Sequence, residues 1–185
     1  MNTLIFIAVR NNNYLLTERL EQLANDYKET TGTNTIVDIR TQGSEQFNAD
    51  WVNKMGLAFS SPPYFYLEDY KVGNQSYKEG TSYQDWLNNY LEPTIKNIYQ
   101  YLIQEGYLLF NINNFKEFDL VGDVKRIAIK NGFKYVGNHT LKNIKRAKST
   151  GGFNDNSEQI MIFVKNENGI PNNKKEQMSI FDFID

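Results

Sequence analysis

The run TLIFIAV, residues 3–9, has no polar residue inside it. A strand with one face in water alternates apolar and polar side chains, so an unbroken apolar run needs cover on both faces. In chains of this size that cover comes from helices packed on each side of a parallel sheet. The stretches that follow have the matching pattern. Between Tyr14 and Thr31, Leu15, Leu16, Leu20, Leu23 and Ala24 share one helical face with charges opposite, and Gly32 stands where such a helix stops. TIVDIR, 35–40, is short and β-branched, which predicts a strand, with Gly43-Ser44-Glu45 as the turn after it. Leu57 to Ser60 is the next strand, and residues 66–82 read as a long polar loop.

From Ser82 a helical period runs through Tyr83, Trp86, Leu87, Tyr90, Leu91, Ile95, Ile98, Tyr99 and Leu102. Pro93 is expected to kink that helix or start its second half. YLLFNI, 107–112, is a second fully buried strand; Leu120 to Asn131 is a helix ended by Gly132; Phe133 to Leu141 and Gln159 to Val164 are the last strands. Strands alternating with helices predict an α/β fold, a doubly wound and mostly parallel sheet. The domain is expected to span 1–165. A polar tether follows over 166–176, then an apolar C-terminal tip over 177–185.

Composition removes several kinds of chemistry. The 185 residues include no cysteine, so disulfides, thiolate metal sites and cysteine nucleophiles are excluded. The single histidine, His139, reads as a strand residue, and no metal site is expected. A net charge of −2 gives no global attraction to nucleic acid, so any such surface must be local. No stretch is apolar for long enough to span a bilayer, and a cytoplasmic protein is the expectation.

The segment FSSPPYFYLEDY, 59–70, sits where the third strand ends. Pro62 and Pro63 fix their own φ and offer carbonyls without amide donors between them, a stiff elbow rich in acceptors. An aromatic residue behind it adds a flat face. Such a corner suits an exocyclic amine of a nucleobase: acceptors take its hydrogens while a ring stacks on the base turned out of the duplex. Accepting those hydrogen bonds makes the nitrogen a better nucleophile.

Ser61-Pro62-Pro63-Tyr64 resembles the catalytic tetrapeptide of the S-adenosylmethionine-dependent DNA amino-methyltransferases, which act on cytosine N4 or adenine N6. WLNNYLEPTIKNIYQYL, GYLLFNINNF and HTLKNIKR extend the likeness over about residues 4–165. The resemblance implies a class I methyltransferase-like fold, DNA as partner and S-adenosylmethionine as cofactor. It implies that Ser61 and the Pro62 carbonyl accept from the target amine and that Tyr64 stacks on the base. It puts Ser44 and Glu45 near the cofactor adenine, and Asn111 and Asn113 beside the pocket.

One part of the family pattern is missing. The family holds the methionine end of its cofactor with a Phe-x-Gly-x-Gly turn after the first strand, and this sequence contains none. Residues 6–12 resemble the family's second strand, with Arg10 where that strand carries an acid for the ribose. The family's first strand lies centrally, between its second and fourth. Its loss leaves three outcomes: residues 3–9 occupy the vacant slot, a second polypeptide supplies the strand, or the sheet closes up. In each, a full cofactor pocket within this chain is not expected. The implied cofactor is S-adenosylmethionine if the protein is active, and none otherwise.

Three further stretches are candidates for contact with partners. Lys142, Lys145, Arg146 and Lys148 lie in a loop with no acid and suit phosphates. Tyr70 and Lys71 open a segment that interleaves aromatic and basic residues, as single-strand binders do. Gln177, Met178, Ile180 and Phe181 resemble the peptide by which bacterial DNA-processing proteins dock on the replicative sliding clamp. The alternative function that follows is a non-catalytic phage or mobile-element protein that occupies a host replication or defence protein such as the clamp.

Overall fold

The structure is a computed structural model, and it describes residues 4–8, 14–32, 36–65, 80–115, 117–142 and 157–166. In chain order the elements are β1 (Leu4–Ala8), α1 (Tyr14–Thr31), β2 (Ile36–Arg40), a 3-10 turn (Ala49–Trp51), β3 (Met55–Ser60), α2 (Tyr83–Trp86), a π turn (Leu87–Leu91), α3 (Glu92–Tyr101), β4 (Leu102–Ile112), α4 (Leu120–Lys130), β5 (Lys134–Lys142) and β6 (Ser157–Val164). The strands fall into two sheets: a parallel pair, β1-β2, and a four-stranded sheet in the order β3-β4-β6-β5. β3 and β4 are parallel, while β6 runs antiparallel to both β4 and β5. The expectation of a mostly parallel sheet therefore holds for the first four strands only. The last two form an antiparallel pair, and β1 joins β2 rather than the slot beside β3.

One face of the larger sheet carries the core. Leu108, Phe110, Met161 and Phe163 project from it against Trp86, Leu91 and Ile95 of the long helical segment and against Val124, Ile127 and Ala128 of α4. Their alternation with Tyr107, Leu109 and Ile162 is the period of two expected of a strand. The helical segment begins at Ser82, whose hydroxyl oxygen accepts from the Asp85 amide at 3.1 Å. Pro93 starts its second half. Pro93 stands in the first turn of α3, and the turn before it widens so that the Glu92 amide bonds back to the Leu87 carbonyl. A proline in a helix interior deprives a carbonyl four residues earlier of its donor; the widened turn absorbs that mismatch without breaking the helix.

The connection between β2 and β3 is fastened to the end of α3. The Trp51 indole N–H donates to Asp38 at 2.9 Å, the Asn48 amide donates to the Tyr101 hydroxyl at 2.7 Å, and Phe47 stacks on Tyr101 with ring centroids 5.9 Å apart. Lys165, 8% exposed, closes the same end by donating from Nζ to the Leu102 carbonyl at 2.8 Å and to Asn53 Oδ1 at 3.2 Å. α1 meets its sequence expectation in part: Leu20 and Ala24 are half-buried, but Leu23 and Tyr27 are 65% and 50% exposed.

Two predictions test this packing. Gly132 has φ of +100°, and a Cβ there would stand 2.9 Å from the Tyr99 ring, whereas Gly137 has open space. Gly132→Ala is expected to lose about 1–3 kcal/mol in urea unfolding, from backbone strain and crowding together, and Gly137→Ala far less. The second concerns Asp38, whose carboxylate the Arg40 side chain holds below the usual aspartate range, with the Trp51 indole adding to the effect and burial opposing it. A lowered folded pKa contributes stability above the unfolded value of about 3.9 and loses it as pH falls through the folded value. The stability gap between the wild type and Asp38→Asn should thus be full near pH 6 and shrink in unfolding curves taken below about pH 4.

Candidate functional site

The diproline corner leaves the C-terminal end of β3 as a short irregular segment, 61–64, with Ser61 exposed, Pro62 buried and Pro63 and Tyr64 half-buried. Its anchor is the next residue. Phe65 is 6% exposed and sits among Tyr83 at 5.4 Å, Phe118 at 5.5 Å and Trp86 at 6.0 Å between ring centroids. Tyr83 stacks on Phe118 at 4.2 Å and donates its hydroxyl to Asp123 at 2.8 Å. Burial, then the hydrogen bond to Asp123, pushes the Tyr83 phenol far above its ordinary value, so it stays protonated and keeps donating.

Tyr64 is fixed from both sides. Its ring meets Phe115 edge-on at 6.1 Å, and its hydroxyl accepts from the backbone amide of Asn113 at 2.8 Å. Asn113 lies just past β4, is 6% exposed and accepts the Asn114 amide on its own side-chain oxygen at 2.8 Å. Asn114 in turn accepts from the Val121 amide of α4 at 2.9 Å. The Tyr64 hydroxyl is thus turned to the β4–α4 connection. Ser60 pairs with Phe110, so Ser61 and Asn111 follow as neighbours where the two strands run out. The corner and the Asn111–Asn113 segment named from sequence do come together, at the C-terminal ends of adjacent parallel strands, where ligands of such sheets bind.

Ser44 and Glu45 occupy a different place. Ser44 shares a hydrogen bond with the Thr94 hydroxyl at 2.9 Å, and its carbonyl accepts from Asn97 Nδ2 at 3.0 Å. Beside them lies an open groove of about 480 Å³ lined by Phe47, Glu92, Pro93, Lys96, Asn97 and Gln100. The backbone of Lys142 closes β5, while Lys145, Arg146, Lys148, Tyr70, Lys71, Arg10 and the tip residues Gln177, Met178, Ile180 and Phe181 lie outside the described residues, as does the tether beyond Asn166. The sequence reading missed the support of the corner: Phe65, Phe115 and Phe118. The available signal was the Asn113-Asn114-Phe115 step after a buried strand, which places a ring one turn from the β4 end.

The comparisons give this α/β domain the class I methyltransferase fold. A methyltransferase of Methanosarcina mazei that depends on S-adenosylmethionine superposes with a TM-score of 0.55 at 9% identity, over 89% of this chain and 93% of that one. A 30S ribosomal A1408 methyltransferase from an uncultured bacterium gives 0.50 at 14% identity, over 87% and 76%. A Thermus thermophilus protein assigned as a DNA modification methylase gives 0.48 at 17% identity, over 72% of this chain and 56% of that one. This chain thus spans a little over half the length of the Thermus protein. Another crystal of the Thermus protein holds S-adenosylmethionine. A search of the curated proteins finds no match. The sequence model of the DNA methylase family matches residues 55–182, and the chain belongs to that family of DNA amino-methyltransferases. The match begins at the first residue of β3.

Tyr64→Phe is expected to cost about 1–2 kcal/mol of stability, because the buried Asn113 amide loses its acceptor. Urea unfolding measures the loss. Amide exchange should also speed up at Asn113 while that of β6 stays unchanged.

Proposed function

We propose that this chain holds the base-gripping part of a DNA amino-methyltransferase and that residues outside this sequence complete the cradle for the methyl donor. The observation that carries the reading is the inward-turned Tyr64 hydroxyl, bonded to the Asn113 amide at 2.8 Å, with the Ser61 side chain exposed beside it. A ring fixed by its own hydroxyl is a stacking face for any base, and sequence preference does not depend on it. Ser61 Oγ and the Pro62 carbonyl take the hydrogens of a cytosine N4 or adenine N6 amine. That raises electron density on the nitrogen as it attacks a methyl group. The nitrogen would become tetrahedral and cationic as the methyl–sulfur bond breaks and the donor leaves as a neutral thioether; the same acceptors favour that charge, and the proton passes on to water.

The donor is S-adenosylmethionine in this reading, and the described residues do not make a full site for it. Ser44 spends its hydroxyl and carbonyl on Thr94 and Asn97, which leaves the Phe47 ring as the nearest platform for an adenine. The methionine end has no glycine turn to receive it in this sequence, where the backbone would have to approach the ligand closely. No step is therefore assigned to the lone chain beyond gripping and activating the base. The cations Lys142, Lys145, Arg146 and Lys148 supply phosphate contacts in this reading, and DNA is the partner.

Labelled single-stranded DNA containing cytosine and adenine tests the grip by anisotropy. Tyr64→Ala is expected to weaken binding roughly 5- to 100-fold, the cost of about 1–3 kcal/mol for one lost stack. Ser61→Ala should weaken it little, because its part is to activate the amine. Equal binding by wild type and Tyr64→Ala would remove the base from this corner. Calorimetry with S-adenosylmethionine should show no heat from these residues alone, and a tightly seated donor would overturn the reading that the donor's cradle lies outside them.

A further inference from the structure

Phe65 rests edge-on across two stacked rings. Tyr83 and Phe118 lie 4.2 Å apart at 28°, and Phe65 meets them at 67° and 86°. Two routes lead from this pair to the Tyr64 ring. Phe65 follows Tyr64 in the chain, so a shift of its ring is felt one peptide bond away. Phe118 exchanges two backbone hydrogen bonds with Phe115, at 3.0 and 3.4 Å, and Phe115 meets the Tyr64 ring edge-on. Two flat rings in a stack resist separation and resist sliding much less, so stacking alone does not fix where Tyr83 stands over Phe118. The Tyr83 hydroxyl supplies the missing direction. It donates to Asp123 Oδ2 at 2.8 Å, across to the first turn of α4. That carboxylate is itself held: Arg126 donates to its other oxygen at 2.7 Å, and the Asp123 amide bonds back to the Asp119 carbonyl at 3.0 Å. A phenylalanine would fill the same space with no polar atom to desolvate, so packing gives no account of the hydroxyl.

We infer that Tyr83 is a positioning residue for the target base, acting through Phe65 and Phe118 to set where the Tyr64 ring stands. This rests on the base-gripping reading above and deepens it. The hydroxyl fixes the stacked pair, the pair fixes Phe65 and Phe115, and these hold Tyr64 along the chain and from the side. The Tyr64 hydroxyl, bonded to the Asn113 amide, reports the same position from its far end. Burial first, and then Asp123, keep the Tyr83 phenol protonated well above neutral pH, so the tie is constant and is no switch.

The test compares Tyr83→Phe with the wild type by two measurements on the full chain. Hydrogen exchange at the Asn113 amide reads the Tyr64 contact with no DNA present. Anisotropy reads the ratio of affinities for a labelled single strand carrying cytosine and adenine and for an abasic strand of equal length, which separates the base from the phosphates. Tyr83→Phe is expected to speed exchange at Asn113 and to cut that ratio, each roughly 2- to 12-fold, the equivalent of one hydrogen bond. Affinity for the abasic strand and the amide protection of β4 and β6 should stay as in the wild type. Asp123→Asn keeps an acceptor and should behave as the wild type. Asp123→Leu should match Tyr83→Phe, and the two together should lose no more than either alone. Three results would overturn the inference: exchange and ratio both unchanged in Tyr83→Phe; a loss on the abasic strand as large as on the base-bearing one, which makes the role one of general stability; and Asp123→Asn as damaging as Asp123→Leu. A ratio that Tyr64→Ala leaves unchanged removes the base-gripping reading, and exchange at Asn113 then decides by itself whether Tyr83 positions Tyr64.

Discussion

A diproline elbow is stiff only along its own bonds; what aims it is the burial of Phe65. That ring sits in contact with Tyr83, Trp86 and Phe118, from the helical segment and from the turn before α4. Aromatic contacts of this kind contribute about 0.5–1.5 kcal/mol each beyond area burial, and here they converge on one residue immediately after Tyr64. The corner is therefore held at two points: β3 pins its start by pairing with β4, and Phe65 pins its end. Ser61 and Tyr64 lie between, with little freedom to move. Acceptors whose positions are set before the substrate arrives need no reorganisation during reaction, which is where most catalytic electrostatics resides.

The same logic explains why the β4–α4 connection carries polar residues at its start. Tyr64, Asn113, Asn114 and Val121 form a relay in which each backbone donor finds a side-chain oxygen. A buried loop leaves amides that no strand partner satisfies, and this chain answers with asparagine side chains at the two places where β4 stops and α4 begins. The asparagines are thus structural to the corner whatever their role toward a ligand. They also fix the Tyr64 hydroxyl inward, which separates the flat face of the ring from its polar end.

Much of this is legible in the residues. Unbroken apolar runs mark the strands, the helical period marks α1 and the Trp86–Tyr101 segment, and the Ser-Pro-Pro-Tyr corner falls at a strand end as its composition requires. What is not legible is instructive. Apolar content does not encode strand direction, so the run Ile160–Val164 of β6 is as apolar as that of β4 and yet pairs antiparallel with it. Periodicity marks which residues share a helix face but not whether anything covers that face, and so Leu23 stands exposed on α1. The aromatic cluster under the corner draws on residues 65, 83, 86 and 118, far apart in sequence, and no local window contains it. For Pro93 the helical rule offers a kink or a fresh start; α3 starts afresh at Glu92, after a widened turn that the residue types do not announce.

The site continues the exposed face of one strand. Alternation carries the outward face from Leu57 through Phe59 to Ser61, where β3 gives out and the corner starts. Pairing of Ser60 with Phe110 on one side of the corner and burial of Phe65 on the other fix the register of that end. A slip of one residue would turn every side chain to the opposite face, so the register that buries Phe65 is the one that leaves Ser61 outward. Core packing and the aim of the acceptor are thus set by one and the same strand register.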